Sequence, residues 1–152
     1  MNTRRIATRG IIFRDGKLLV AKFIHGDGSE SKYWGTFGGG LDFGETLTDG
    51  LHREMIEETG IKAKIGKLLF IQQFKDDDKE NLEFFFHIEN PEDYEDIKFE
   101  DTTHGHIEMS QHEFVDPATH PVLPAFLQTI DIADYIENDR PVFIWNEYTP
   151  FK

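Results

Sequence analysis

Apolar residues spaced for strands open the chain. Ile6 to Phe13 and Lys17 to Phe23 read as two strands, and Arg14-Asp15-Gly16 between them carries the Asp-Gly signal of a tight hairpin. His25 to Lys32 is polar and glycine-containing, hence a loop, after which Tyr33-Trp34 restarts an ordered segment. Gly38-Gly39-Gly40 is a run that regular elements tolerate poorly. From Thr46 the period changes. Leu47, Leu51 and Met55 recur every fourth residue, the buried stripe of a helix over Thr46 to Thr59. Thr46 with Asp49 makes a capping-box-like start, and Gly60 stands where a C-terminal cap belongs. Gly50 inside that helix costs about 1 kcal/mol against Ala, which close approach of a strand would explain.

Ala63 to Phe74 and Asn81 to Ile88 form a predicted hairpin with Lys75 to Glu80 as its acidic tip, followed by an acidic loop over Glu89 to Asp96. Gly105 to Val115 reads as another strand. Pro124 to Asn138 reads as a second helix with Pro124 in its first turn. Pro141 to Tyr148 is apolar and aromatic, an extra strand or a partner-facing tail. Strands with one early and one late helix predict an α/β (α+β) architecture, a mixed sheet with helices on its faces.

Composition narrows the options. At 152 residues the chain fits one domain spanning 1-152, with neither repeats nor a linker. It holds no cysteine, which excludes disulfides and thiolate metal sites. No apolar run approaches a membrane span, and the first residues do not form a signal peptide, so the expected setting is soluble and cytoplasmic. A net charge of -13 argues against stable binding to duplex nucleic acid. It leaves room for an anionic small molecule, because a bound cation inverts the local field.

The chemistry concentrates between Gly39 and Ile61. Glu54, Glu57 and Glu58 lie at i, i+3 and i+4 of the predicted helix, so their carboxylates share one side. Like charges at those spacings, crowded toward the negative end of the helix dipole, destabilise the helix. Breaking local rules three times in one turn points to function, and a hard divalent cation would remove the conflict. Arg53 is placed to pin a carboxylate, and the upstream glycines let backbone approach metal or phosphate. The bland alternative is a solvated acidic helix face.

The full spacing decides between them. Gly39, five residues, Glu45, seven residues, Arg53-Glu54-Met55, one residue, Glu57-Glu58, one residue, Gly60-Ile61 resembles the Nudix box at all nine defined positions. The chain is similar to the Nudix (MutT-like) hydrolases over these 23 residues, and more loosely in the flanking segments. The resemblance implies the Nudix fold, a mixed β-sheet sandwiched between α-helices. It also implies hydrolysis of a phosphoanhydride bond in a nucleoside diphosphate linked to another moiety, using magnesium, or manganese in its place. It implies that Glu57 and Glu58 are metal ligands and that Glu54 binds metal directly or through water and acts as base. Arg53 would orient a glutamate, and Gly39 or Gly38 would offer a carbonyl to the metal. Phe37 departs from the family, where Pro is common, and Asp42 replaces a common Glu.

Beyond the box, some members draw the catalytic base from a later segment, and Glu108 and Glu113 both lie in that region. Arg9, Trp34, Phe37 and Glu113 are the candidate substrate contacts; Phe23, Tyr33, Trp34, Phe74 and Phe85 are the candidates to stack on a base, and Arg4, Arg5 and Arg9 to hold phosphate. His104, His106 and His112 read as solvated strand histidines, and Asp76-Asp77-Asp78 as a plain hairpin tip. The favoured substrate is a nucleoside triphosphate or related small nucleotide, with nucleotide sugar, ADP-ribose and dinucleoside polyphosphate as the other classes. The competing reading is a non-catalytic Nudix-like module that binds a nucleotide or a protein. The aromatic segment Val142 to Phe151 suggests a homodimer.

Overall fold

The computed structural model describes residues 1–148. Residues 149–151 of the aromatic C-terminal segment lie outside the described residues. The first strand, β1 (Thr3–Ile11), is longer than the apolar pattern suggested, and it changes sheet at its end. After Ile12 the chain continues as β2 (Phe13–Arg14), which turns back through Asp15 and Gly16, both at positive φ, into β3 (Lys17–Phe23). The Asp-Gly hairpin therefore belongs to a three-stranded sheet ordered β2-β3-β7, where β7 is Met109–Val115.

β1 itself lies in a five-stranded sheet with β4 (Gly38–Gly40), β5 (Ile65–Asp76), β6 (Lys79–Ile88) and β8 (Phe143–Asn146), ordered β4-β1-β6-β5-β8. The sheet is mixed: β1 runs antiparallel to β4 and parallel to β6, and β8 runs parallel to β5. The hairpin of β5 and β6 closes on Asp77-Asp78, a tighter turn than the six residues read as its tip.

Side chains of alternating strand positions feed two cores on opposite faces. Leu19 and Ala21 of β3 and Phe86 and Ile88 of β6 join Leu51 and Met55 of helix α1 (Leu47–Thr59). Leu18, Val20, Phe70 and Phe85 join Phe126, Leu127 and Ile132. The sheets are thus covered by α1 on one side and by the C-terminal helical segment on the other.

Three elements differ from the sequence reading. The glycine run is a strand, because β1 supplies the partner that the glycines lack side chains to announce. Gly105 to Val115 is not all strand: α2 (Gly105–Glu108) precedes β7. The second helix is broken into a 3₁₀ turn (Ala125–Gln128) and α3 (Ile132–Glu137), since Asp131 accepts from the Asp134 N–H and caps a new start. Pro124 follows a cis peptide and is extended, outside any helix.

Candidate active site

The site is assembled where α1 meets the open edge of β4. Thr46 caps the helix by accepting from the Asp49 N–H, and Gly60 ends it at φ 75°. Gly50 is in van der Waals reach of Leu41 only because it lacks a Cβ, which would fall 2.2 Å from the Leu41 side chain. This close approach sets α1 against the chain just beyond β4.

On β4 the ladder register is fixed by bonds from the Gly10 N–H to the Phe37 carbonyl and from the Leu41 N–H to the Ile6 carbonyl. Alternation places Gly39 in a hydrogen-bonded pair with Thr8 and turns the polar groups of Gly38 and Gly40 outward. Bare edge groups are a liability, and here side chains meet them. The Gly38 N–H donates to Glu58 Oε1 at 3.0 Å, the Gly38 carbonyl accepts from Arg9 Nη1 at 2.9 Å, and the Gly40 carbonyl accepts from Arg53 Nη2 at 3.1 Å. What Gly39 contributes is a missing side chain, because a Cβ there would lie 2.8 Å from the Glu54 carboxylate. Its carbonyl faces Thr8 in the ladder, whereas the carbonyl of Gly38, the other glycine that the family resemblance offered as a metal ligand, points outward.

Arg53 organises the glutamates. Nε and Nη2 grip both oxygens of Glu45 at 2.8 and 2.9 Å, and Nη1 reaches Glu54 at 3.0 Å and Glu57 at 3.1 Å. With the bond to Gly40, all five N–H groups are engaged. Arg53 is therefore a positioning residue, with no donor left for a substrate. Its grip, with the Asp42 N–H, pulls the Glu45 carboxyl down to about 2.

Glu58 is fully buried. One oxygen accepts from Gly38; the other, Oε2, is a buried atom with no hydrogen-bond partner among the described residues. Burial pushes its carboxyl well up, and the nearby charges of Glu54 and Glu108 add to this. Burial also raises Glu54, partly opposed by Arg53. An orphaned anionic oxygen at this depth is costly unless a cation satisfies it. The oxygen-only donor set suits a hard cation. Among the described residues no three acidic or histidine side chains form a closed metal cage. Magnesium needs none, since it keeps several waters and takes one or two carboxylates. The residues present fit such an ion.

One neighbour of this cluster escaped the sequence reading. His104 Nδ1 lies 3.1 Å from Glu57 Oε2, and its backbone N–H donates to the Glu57 carbonyl. Reading the region as a strand hid this contact, because α2 brings the preceding loop back over the end of α1. His106 and His112 sit instead against the carbonyls of Thr102 and Ile97. Glu108 on α2 is close enough to act on Glu54 and Glu58. Glu113 is exposed on β7, and is not among the residues lining the cleft.

The cleft, about 480 Å³, lies on the sheet face opposite α1. Arg9 and Trp34 line it as expected. Phe37 does not: it is fully buried in the core under α1, with its ring 6.3 Å from that of Phe99, so the residue that departs from the family pattern serves packing. Glu54, Glu57 and Glu58 are not among the lining residues. Of the three, Glu58 is linked to the cleft across β4, through Gly38 and Arg9.

Residues 3–130 match the NUDIX domain. The chain belongs to the Nudix family. A mouse relative named oxidized purine nucleoside triphosphate hydrolase is 32% identical over 74 residues, 46% of this chain and 46% of that protein. The match thus spans less than half of the curated relative. Among solved structures, the MutT NUDIX hydrolase from Burkholderia pseudomallei aligns at TM-score 0.60 and 19% identity over 75% of this chain and 84% of its own. A UDP-X diphosphatase aligns at TM-score 0.66 and 21% identity over 95% and 68%. These structures share the mixed α+β fold.

Proposed function

We propose that the chain is a divalent-cation-dependent pyrophosphohydrolase that cuts a phosphoanhydride bond in a nucleoside diphosphate linked to another group, with a nucleoside triphosphate favoured. The carrying observation is the buried, unpartnered Glu58 oxygen beside a desolvated Glu54. A pure binding module has no use for so unfavourable an arrangement. The names of the mouse relative and of the UDP-X diphosphatase fall within the same substrate range. The reading takes the whole chain as one domain working on a small nucleotide in the cytoplasm.

Glu57 and Glu58, with Glu54 beside them, would hold magnesium, or manganese in its place. The bound cation supplies charge neutralisation of the diphosphate and lowers the pKa of water. The protein's own part is positional. Arg53 fixes Glu54 and Glu57, His104 steadies the second of these, and Gly39 leaves room for the Glu54 carboxylate. Glu54, its carboxyl raised by burial, is a stronger base than an ordinary glutamate and is suited to take a proton from the attacking water. Glu108 is the alternative base, being the later glutamate that lies near the cluster.

The test is turnover of a nucleotide panel with magnesium, with chelator, and with Glu57→Gln or Glu58→Gln. Turnover that requires magnesium and drops by about 100-fold or more in both variants is expected. Full magnesium-dependent activity in both would refute the metal assignment.

A further inference from the structure

The cleft floor holds a polar relay that the hydrolytic chemistry leaves unused. Gln72 and Glu83 stand opposite each other on β5 and β6. Both are buried, at 5% and 6% exposure, yet both line the cleft. Glu83 Oε2 accepts from Arg9 Nε at 3.1 Å, and Oε1 accepts from Gln72 Nε2 at 2.8 Å. Arg9 is held in turn by the carbonyls of Thr36 and Gly38.

This relay fixes which way the Gln72 amide points. Salt-bridged to Arg9, the Glu83 carboxylate can only accept. Gln72 must therefore present its NH₂ to Glu83, and flipping the amide would set oxygen against oxygen. The amide oxygen then has no donor among the described residues. It is not one of the buried orphans either, so it opens to the cleft. Phe23, Trp34 and Phe74 wall the same space, apolar surfaces that suit a flat ring. The exocyclic substituent of a nucleobase projects furthest from the ring, and meets this oxygen first.

We propose that Gln72, turned by Glu83 and Arg9, selects nucleotides whose base carries an amino group at purine C6 or pyrimidine C4, adenine or cytosine, over the bases with an oxo group there, such as hypoxanthine and uracil. With the ring held by aromatic walls, exchanging amino for oxo swaps donor and acceptor at the same atoms. The pinned amide fits one polarity and faces an unpaired oxygen with the other. The inference rests on the hydrolase reading for its reaction but not for its recognition step.

The test compares ATP with ITP and CTP with UTP. Two readouts are taken: kcat/KM with magnesium, and Kd from tryptophan fluorescence on Glu57→Gln protein with magnesium. The wild type is expected to favour the amino member of each pair by about ten-fold or more in kcat/KM, and Kd should follow. Glu83→Gln frees the amide to flip, and should bring the ratio toward one. Gln72→Met, nearly isosteric and independent of the ion pair, should do the same if Glu83→Gln fails to fold. No amino preference in the wild type, a preference retained in folded Gln72→Met, or no nucleotide binding at all would overturn the assignment. If nothing is hydrolysed but the amino preference persists in Kd, the hydrolase reading fails and this one stands. Hydrolysis without preference has the opposite meaning.

Discussion

Glu58 shows how a single side chain carries opposing demands. Its folded carboxyl is raised by burial above the value in an unfolded chain. Without a cation, the folded state holds the proton more tightly than the unfolded state does. The metal-free protein should therefore lose stability as pH rises from the unfolded carboxylate pKa, about 4.3, toward the folded value. Glu58→Gln removes this penalty. Thermal melts in chelator at pH 8 should show a higher Tm for the variant than for wild type, by several degrees, with the gap closing near pH 4. Magnesium should raise the Tm of wild type and leave the variant unmoved. Phe37 has the contrary character, since it is buried without any role in chemistry. Phe37→Ala should cost about 3–5 kcal/mol in urea unfolding and lower activity only as far as the folded fraction falls.

At the scale of elements, β4 matters most. Gly38 has φ 133°, and a Cβ there would fall 2.0 Å from the Thr8 carbonyl oxygen, which is backbone and cannot yield. Gly38→Ala should not give soluble folded protein. At Gly39 the obstacle is the Glu54 carboxylate, the far end of a flexible side chain. Gly39→Ala should fold, by circular dichroism, while kcat falls about ten-fold or more as Glu54 is displaced. Sequence made α1 legible because caps, stripe and acidic spacing agreed on it, and the helix runs within one residue of its expected bounds. β4 was illegible because glycine carries no pattern, so its strand character comes wholly from β1. Gln72 and Glu83 were missed for a related reason. Polar residues at period-two positions read as a solvent face, and nothing local tells that this face is roofed by Trp34 and the chain around Leu123. The break at Asp131 was also missed, because apolar spacing continues across it.

The whole molecule is two sheets joined through Ile12, with glutamates on one side and the cleft on the other. Among the described residues no helix is long and apolar enough to cross a membrane. β8 closes one edge of the larger sheet and leaves Ile144 65% and Trp145 41% exposed. We propose that this edge joins two copies of the chain. Analytical ultracentrifugation should show a dimer, reduced to monomer by Trp145→Glu; a monomeric wild type would refute it. The parallel pairing of β1 with β6 has a consequence for synthesis. Thr3 stands opposite Lys79, so during synthesis β1 keeps one edge unsatisfied until β6 has emerged. Arg9 lies on that strand, and its carboxylate partner Glu83 arrives with β6. The nascent protein is then most exposed to mispairing at the segment from which its specificity is later built.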